Sequence, residues 1–244
     1  MDDLKRYEEL VKTIEYHNDR YYNQDDPEIS DYEYDMMMKE LKKIEKDHPE
    51  FVTPNSPTQH VGGSAKREAG VLVRHRVPML SLQDVFSKEE VQDFVKSMQE
   101  TLVDPVFVVE YKIDGLSMAL RYENGLLTTA ITRGDGIIQG EDVTVNAKVI
   151  KDVKNKLKEP IEYLEVRGEV YMTNEAFDKV NEIQELNNKK TFANPRNCAA
   201  GTLRQLDSRI TKQRNLSMFI FNIQDIRGKE ITTHSQGYEY LKKQ

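Results

Sequence analysis

Lys112 stands in a setting that suits covalent chemistry, within the segment Glu110-Tyr-Lys112-Ile-Asp114-Gly115. The residues before it are mostly apolar and β-branched, which predicts a strand from Val106 to Ile113. A lysine at the end of a strand can reach a bound phosphate, and the glycine lets a ligand approach the backbone closely. Its amine becomes a nucleophile when burial or neighbouring cations favour loss of the proton. Taken alone, the Lys-x-Asp-Gly pattern favours a solvated lysine, because so short a pattern arises by chance in roughly a few chains per hundred.

Two charged residues that adjoin glycines could bind a nucleotide beside that lysine. Glu169, which follows a glycine in a strand-like segment, suits a ribose hydroxyl or a magnesium-bound water. An ion pair with Arg167 explains this glutamate equally well. Arg133, in Thr132-Arg-Gly-Asp-Gly136, suits a phosphate or sugar contact, and the alternative is a plain Asp-Gly turn.

Two further patterns are less specific. Arg196 and Arg204 lie eight residues apart in a stretch rich in glycine, alanine and asparagine, where anion binding and surface solvation are equally plausible. Gly134-Asp-Gly-Ile-Ile-Gln-Gly140 resembles a dinucleotide fingerprint, but its third glycine comes one position too late and no βαβ unit surrounds it. This excludes a Rossmann dehydrogenase.

Composition and charge bound the remaining possibilities. The chain has 244 residues, of which 38% are hydrophobic and 32% charged, enough for one sizeable core and a smaller second unit. No apolar run approaches the roughly 20 residues that cross a bilayer, and the acidic start is unlike a secretory leader, so we expect a cytoplasmic protein without membrane contact. One cysteine and five scattered histidines argue against a disulfide framework or a zinc site.

The acidic excess is confined to the N-terminal part. Residues 1–70 contain 10 lysines and arginines against 17 aspartates and glutamates, whereas the remainder contains 25 of each. A neutral or acidic surface does not hold duplex DNA through counterion release, so the chain is not expected to clamp nucleic acid by itself.

Periodicity predicts a helical unit followed by a sheet. Apolar residues recur at helical spacing in two stretches of the first 50 residues, and Ser30 with Glu33 forms a capping-box pattern at the start of the second. Prolines and glycines then interrupt all periodicity, which predicts a domain boundary near residue 70. We therefore expect a helical unit over residues 1–70 and a second unit over residues 71–244.

The second unit has strand signals separated by turns and one helix. Strands are predicted over 106–113, 117–122, 126–132, 163–172 and 216–223, with a helix over 174–186. Asn124-Gly125 predicts a tight hairpin turn between the second and third of these strands. The fold class is therefore α+β, with a small N-terminal helical subdomain before an antiparallel sheet.

Six segments, taken in order, resemble the signatures of the bacterial NAD-dependent DNA ligases. They are Phe51 to Gly63, His75 to Leu82, Glu110 to Gly115, Thr132 to Gly136, Val166-Arg-Gly-Glu169-Val, and Phe192-Ala-Asn-Pro-Arg196-Asn through Leu203-Arg204 to Asp207. The resemblance covers nearly the whole chain and implies an ATP-grasp-like nucleotidyltransferase (adenylation) fold after the helical region.

By this resemblance, Lys112 attacks the α-phosphate of NAD, releases nicotinamide mononucleotide (NMN) and carries AMP as a phosphoramide with the help of Mg²⁺. The resemblance also implies roles for neighbouring residues. It assigns Ser81, Leu82 and Glu110 to the adenine pocket, Asp114 and Gly115 to the surroundings of the lysine, Arg133 and Glu169 to ribose or metal, and Arg196 and Arg204 to phosphate.

The resemblance gives the N-terminal helices a role in holding the NMN half of NAD. The residues implied are Tyr21, Tyr22, Asp31, Tyr34 and Asp35. Aromatic rings can stack on the cationic nicotinamide, while carboxylates favour its positive charge. Packing of Tyr34 against the partner helix is the alternative explanation.

The chain differs from the family pattern because it ends at Gln244, before two lysine-bearing motifs that complete the nucleotide pocket. The resemblance therefore implies an N-terminal fragment, expected to be monomeric, that would seal nicked duplex DNA only as part of the full-length enzyme. Two other functions stay open. One is a nucleotide-binding module without a covalent step, and the other is an ATP- or GTP-using relative, which would lack the tyrosine and aspartate helices.

Overall fold

The computed structural model describes residues 2–20, 28–53, 56–59 and 70–244. A 3₁₀ turn at Pro49–Phe51 follows the second helix. In chain order the helices and strands are α1 (Asp2–Asn18), α2 (Asp31–Asp47), β1 (Leu72–Arg74), α3 (Lys88–Thr101), β2 (Leu116–Glu123), β3 (Leu126–Thr132), β4 (Gln139–Glu141), α4 (Thr144–Ala147), β5 (Tyr163–Tyr171), α5 (Asn174–Leu186), α6 (Pro195–Leu203), α7 (Ser208–Gln213), β6 (Ser217–Arg227) and α8 (His234–Lys243).

The helices α1 and α2 pack against each other along apolar stripes. Tyr7, Leu10 and Ile14 of α1 follow one another at three- and four-residue steps, and they are buried with Leu41 of α2. The predicted start of α2 is confirmed, because Ser30 accepts a hydrogen bond from the Glu33 backbone and the Glu33 side chain accepts one from the Ser30 backbone. Local sequence therefore specifies this helical pair.

The larger core is formed around a four-stranded antiparallel sheet in the order β3-β2-β5-β6. Asn124 and Gly125 join β2 to β3 with φ values of 50° and 75°, which confirms the predicted hairpin turn. Residues from the sheet and from α4, α5, α6 and α8 share one buried apolar cluster. The predicted α+β class is confirmed.

Several predicted elements appear with bounds close to those expected. The helix predicted over 174–186 is α5, and the strands predicted over 117–122, 126–132, 163–172 and 216–223 correspond to β2, β3, β5 and β6. The helices α3, α4, α6, α7 and α8 were not predicted. Four of them, α4, α6, α7 and α8, span ten residues or fewer, whereas α3 has 14 residues with Val91, Phe94 and Met98 at helical spacing, a signal that sequence reasoning overlooked. Among the residues that the structure describes, no helix is both long and apolar enough to span a membrane.

The strand predicted from Val106 to Ile113 is wrong. Residues 105–114 belong to neither a helix nor a strand, and Val106, Val109 and Tyr111 are 91%, 96% and 91% exposed. A β-branched sequence forms a strand only when a neighbouring strand accepts its backbone hydrogen bonds, and in the described part of the chain no strand pairs with this segment. We call residues 105–114 the lysine segment.

Candidate active site

A cavity of about 360 Å³ opens between the lysine segment and the sheet. The residues that line it are Met79, Leu80, Ser81, Leu82, Asp84, Glu110, Tyr111, Lys112, Ile113, Asp114, Gly115, Ser117, Arg133, Arg167, Glu169, Arg196 and Phe221. Nine of the predicted site residues therefore share one cavity, although they come from five separate stretches of the chain. We call it the lysine cavity.

Gly115 brings the lysine segment close to strand β5. A Cβ atom at this position would lie 2.2 Å from the carbonyl oxygen of Val170 and 3.1 Å from Cγ of Glu169. No side chain fits at 2.2 Å from a backbone oxygen, so only glycine allows the chain to pass here. This close approach places the exposed side chain of Lys112 near the end of β5 that carries Glu169.

Glu169 is held by the neighbouring strand. Glu169 on β5 pairs with Ser117 on β2, and the Ser117 hydroxyl donates a 2.8 Å hydrogen bond to Oε2 of Glu169. Burial raises the pKa of Glu169. Only part of that rise is offset by the hydrogen bond from Ser117 and by the positive charges of Arg196, Lys112 and Arg133. The carboxylate is thus a partly desolvated acceptor surrounded by cations.

Arg133 enters the lysine cavity from a tight turn after β3. Gly134 and Gly136 have φ values of 55° and 76°, which favour glycine, and the Asp135 carboxylate accepts hydrogen bonds from three following backbone amides. Burial alone would raise the pKa of Asp135, but these bonds lower it overall. The Asp-Gly turn and a ligand contact by Arg133 are therefore compatible explanations of this segment. The Arg133 guanidinium lies 3.3 Å from the Ser81 hydroxyl.

The two later arginines have different surroundings. Arg196 lies in the first turn of α6, which Asn194 caps, and its guanidinium is 3.5 Å from the carboxylate of Asp114. Arg204 lies at the C-terminal end of α6, and its Nε donates a 2.7 Å hydrogen bond to Glu141. The structure therefore places Arg196 in the lysine cavity and Arg204 outside its lining.

Eight of the 17 lining residues were not among the predicted site residues, and two of these eight, Arg167 and Phe221, carry groups that suit a nucleotide. Arg167 lies two positions before Glu169 on β5, so both face the same side of the sheet, and this alternation could have revealed it. Its guanidinium donates 2.8 Å and 3.5 Å hydrogen bonds to the carbonyls of Pro78 and Leu80, and burial lowers its pKa. Phe221, on β6, also lines the cavity, at a position that no motif indicated.

The charges and polar groups of these side chains suit a nucleotide. Lys112, Arg133, Arg167 and Arg196 supply four positive charges around one cavity, which suits phosphate groups. Phe221 offers a surface on which a purine can stack, and the carboxylates of Glu110 and Glu169 offer acceptors for amine and hydroxyl groups.

The residues expected to hold NMN lie outside this cavity as far as the structure describes them. Tyr21 and Tyr22 fall outside the described residues, and the same holds for the side chain of Asp31. Tyr34 and Asp35 lie in α2, and the Tyr34 hydroxyl donates a 2.7 Å hydrogen bond to Asn18. The described lining of the lysine cavity comes from residues 79–221, so α2 does not contribute to it.

The site suits a magnesium ion only in combination with substrate phosphates. Among the described residues, no group of three or more histidine, cysteine, aspartate or glutamate side chains could hold a metal. Magnesium commonly keeps several waters and binds one or two carboxylates together with nucleotide phosphates. Glu169 provides one such carboxylate, and the surrounding cations favour phosphate binding beside it.

The sheet, the cavity and its lysine together define a nucleotide-binding α+β domain. The family model described as "NAD-dependent DNA ligase adenylation domain" matches residues 70–244, and the one described as "DNA ligase-like, N-terminal NAD+-binding domain" matches residues 1–62. The chain belongs to the NAD-dependent DNA ligase family.

Curated relatives agree with this assignment. The chain is 56% identical over 244 residues to a DNA ligase of Clostridium kluyveri, covering 100% of the chain and 36% of that relative. It is 54% identical over 240 residues to a DNA ligase of Caldicellulosiruptor saccharolyticus, covering 98% of the chain and 35% of that relative. The chain thus spans about a third of the length of the curated relatives it matches.

Proposed function

We propose that this chain carries out the first step of NAD-dependent DNA ligation, in which Lys112 takes up AMP from NAD. The observation that carries the proposal is the position of Lys112, which shares one cavity with three arginines and with Glu169. A nucleophilic amine beside phosphate-binding cations has the groups needed for nucleotidyl transfer.

The amine of Lys112 attacks the phosphorus of the AMP half of NAD. A phosphorus–nitrogen bond forms, the bond from that phosphorus to the bridging pyrophosphate oxygen breaks, and NMN leaves with that oxygen while the amine proton passes to solvent. Arg133, Arg167 and Arg196 stabilise the negative charge on the phosphate oxygens. Magnesium, when bound with the nucleotide beside Glu169, offsets further charge on the reacting phosphate.

The adenosine half of NAD is assigned to the opposite part of the cavity. Glu110, Ser81 and Leu82 surround the adenine, and Phe221 stacks on it. Glu169, oriented by Ser117, accepts a hydrogen bond from a ribose hydroxyl. Asp114 lies beside Arg196 and limits how far that guanidinium can move from the phosphate.

The helical pair is proposed to bind the NMN half. Tyr21, Tyr22, Asp31, Tyr34 and Asp35 would contact the nicotinamide ribonucleotide once α2 approaches the lysine cavity. The match of residues 1–62 to an NAD+-binding domain supports this role and disfavours an ATP- or GTP-using relative. A division near residue 70 belongs to the same proposal, and the separate buried clusters of the helical pair and the sheet support it.

The later steps require the full-length enzyme. AMP would pass from Lys112 to the 5′-phosphate of a nick in duplex DNA, in replication and repair, and Arg204 would contact phosphate at that stage. We propose a cytoplasmic, monomeric protein for this part of the enzyme. The balance of 25 basic and 25 acidic residues over 71–244 agrees with DNA binding that depends on other regions.

Intact-mass measurement tests the covalent step. Three proteins are compared: wild type, Lys112→Ala and the control Lys151→Ala, which replaces an exposed lysine outside the cavity. Each is first treated with NMN to reverse any adduct and is then incubated with NAD and magnesium. We expect one added AMP on wild type and Lys151→Ala and none on Lys112→Ala. An adduct on Lys112→Ala, or none on wild type, would refute the proposal.

A further inference from the structure

Glu110 is held by helix α8, which lies 124 residues further along the chain. His234 Nε2 lies 2.7 Å from Oε1 of Glu110, and the Tyr238 hydroxyl donates a 2.6 Å hydrogen bond to the same oxygen. Because Glu110 lies in the lysine segment, none of the described strands pairs with its backbone. These two side chains therefore fix the direction of a carboxylate that faces the lysine cavity.

Helix α8 is itself firmly anchored, so it can serve as a support. Thr233 caps its N-terminus by accepting a hydrogen bond from the Gln236 amide, and Tyr240 is buried in the main core. Residues four apart on a helix share a face, which brings His234 and Tyr238 together with ring centroids 4.7 Å apart. The pair is thus presented to Glu110 as one unit.

Tyr238 also lies close to a second residue that lines the lysine cavity. Its hydroxyl oxygen lies 3.3 Å from the backbone carbonyl oxygen of Phe221, a residue that lines the cavity. A second cavity of about 460 Å³ lies between β6 and α8, and Phe221, His234 and Tyr238 line it too. The hydroxyl of Tyr238 therefore lies next to both the carboxylate of Glu110 and the backbone of the residue proposed to stack on the purine.

The charge of Glu110 is maintained by the same contacts. Burial alone would raise its pKa, but the hydrogen bonds from Tyr238 and His234 lower the pKa overall, while the pKa of Tyr238 rises to about 12. Both bonds end on Oε1, so Oε2 is left to accept a hydrogen bond from a ligand. An ionised acceptor prefers an amino group to a carbonyl oxygen.

We infer that His234 and Tyr238 are positioning residues for purine selection, which hold Glu110 so that it accepts the 6-amino group of adenine. This inference rests on the proposed function, because it places adenine beside Glu110. It adds α8 to the site and assigns selectivity for a 6-amino purine over a 6-oxo purine to its two side chains.

Binding selectivity tests the inference. The probes are NAD and nicotinamide hypoxanthine dinucleotide, in which a carbonyl replaces the 6-amino group. Their dissociation constants are measured by titration calorimetry in the Lys112→Ala chain, so that the result does not depend on adduct formation. We expect the Lys112→Ala chain to bind NAD about tenfold more tightly than the analogue, as for one hydrogen bond to a charged group.

Variants on α8 should reduce that ratio selectively. With Tyr238→Phe or His234→Ala added, NAD should bind about fivefold more weakly while binding of the analogue hardly changes. His234→Gln retains a side-chain N–H donor, so it should restore part of the ratio. Tyr240→Phe removes a hydroxyl from the buried face of the same helix and should leave the ratio unchanged.

The outcomes separate this inference from the proposed function. Equal weakening of both dinucleotides, or an unchanged ratio in Tyr238→Phe and His234→Ala, would overturn the role of α8 even if wild type forms the AMP adduct. A reduced ratio without any adduct on wild type would support α8 as a purine-selecting element and would refute the covalent step.

Discussion

The lysine cavity contains two glutamates that are held in opposite ways. Glu169 lies on a central strand of the sheet, where burial raises its pKa despite the Ser117 hydrogen bond. Glu110 lies in the lysine segment, where the hydrogen bonds from α8 lower its pKa despite burial. A residue on a sheet is oriented by backbone pairing, whereas a residue in an unpaired segment depends on side chains from elsewhere. We therefore expect substitutions at the two positions to act differently.

The largest difference should appear in the covalent step. Glu169→Gln should slow AMP uptake by about a hundredfold, because it removes the carboxylate next to the reacting phosphate and ribose. Glu110→Gln should slow it by only about tenfold, because the amide oxygen can still accept one hydrogen bond. Single-turnover mass measurements compare the two variants. Equal losses would contradict the separation of roles.

Gly115 lies where the lysine segment passes close to β5, the strand that carries Glu169. Its substitution should have the next largest effect. In Gly115→Ala, the added methyl group would meet the Val170 carbonyl oxygen, so the lysine segment must move away from β5. We expect a loss of about 2 kcal/mol in the free energy of unfolding, together with slower AMP uptake. Denaturant titration measures the first and intact mass the second.

Gly237→Ala is the matched control for this substitution. Its new methyl group would lie 3.5 Å from Ile223, which is ordinary packing distance, and alanine favours a helix. We expect it to be neutral or slightly stabilising. A Gly115→Ala protein as stable and as active as Gly237→Ala would show that the close approach to β5 is unnecessary.

The smallest expected effect is on the pH dependence of the free energy of unfolding, to which the two glutamates should contribute with opposite signs. Because folding raises the pKa of Glu169 above its ordinary value of 4.5, stability from this group is present below 4.5 and is lost as pH rises through the folded pKa. Folding lowers the pKa of Glu110, so its contribution is present above 4.5 and is lost as pH falls through the folded pKa.

Unfolding free energies between about pH 3 and pH 7 measure this contrast. Relative to wild type, Glu169→Gln should become more stable as pH rises above 4.5, and Glu110→Gln should become more stable as pH falls below it. A Glu110→Gln protein that gains no stability relative to wild type as pH falls would mean that α8 does not stabilise the Glu110 carboxylate.

Sequence by itself determined the features that depend on neighbouring residues. The capping box of Ser30 and Glu33, the hairpin turn at Asn124-Gly125 and the helix over 174–186 each follow from residues a few positions apart. The order of the six motifs was sufficient to indicate the family, and the family models confirm it. These features depend on local backbone preferences and on motif spacing, both of which can be read from the sequence.

Only the tertiary structure decided how distant residues meet. The apolar segment 106–113 was expected to form a strand, but in the described chain it pairs with none and is largely exposed. Strand pairing brings Arg167 and Phe221 to the lysine cavity. Helix packing brings His234 and Tyr238 to Glu110, although they lie far from it in sequence. Propensity indicates which backbone shape a segment prefers, whereas sheet register and burial determine which side chains finally touch.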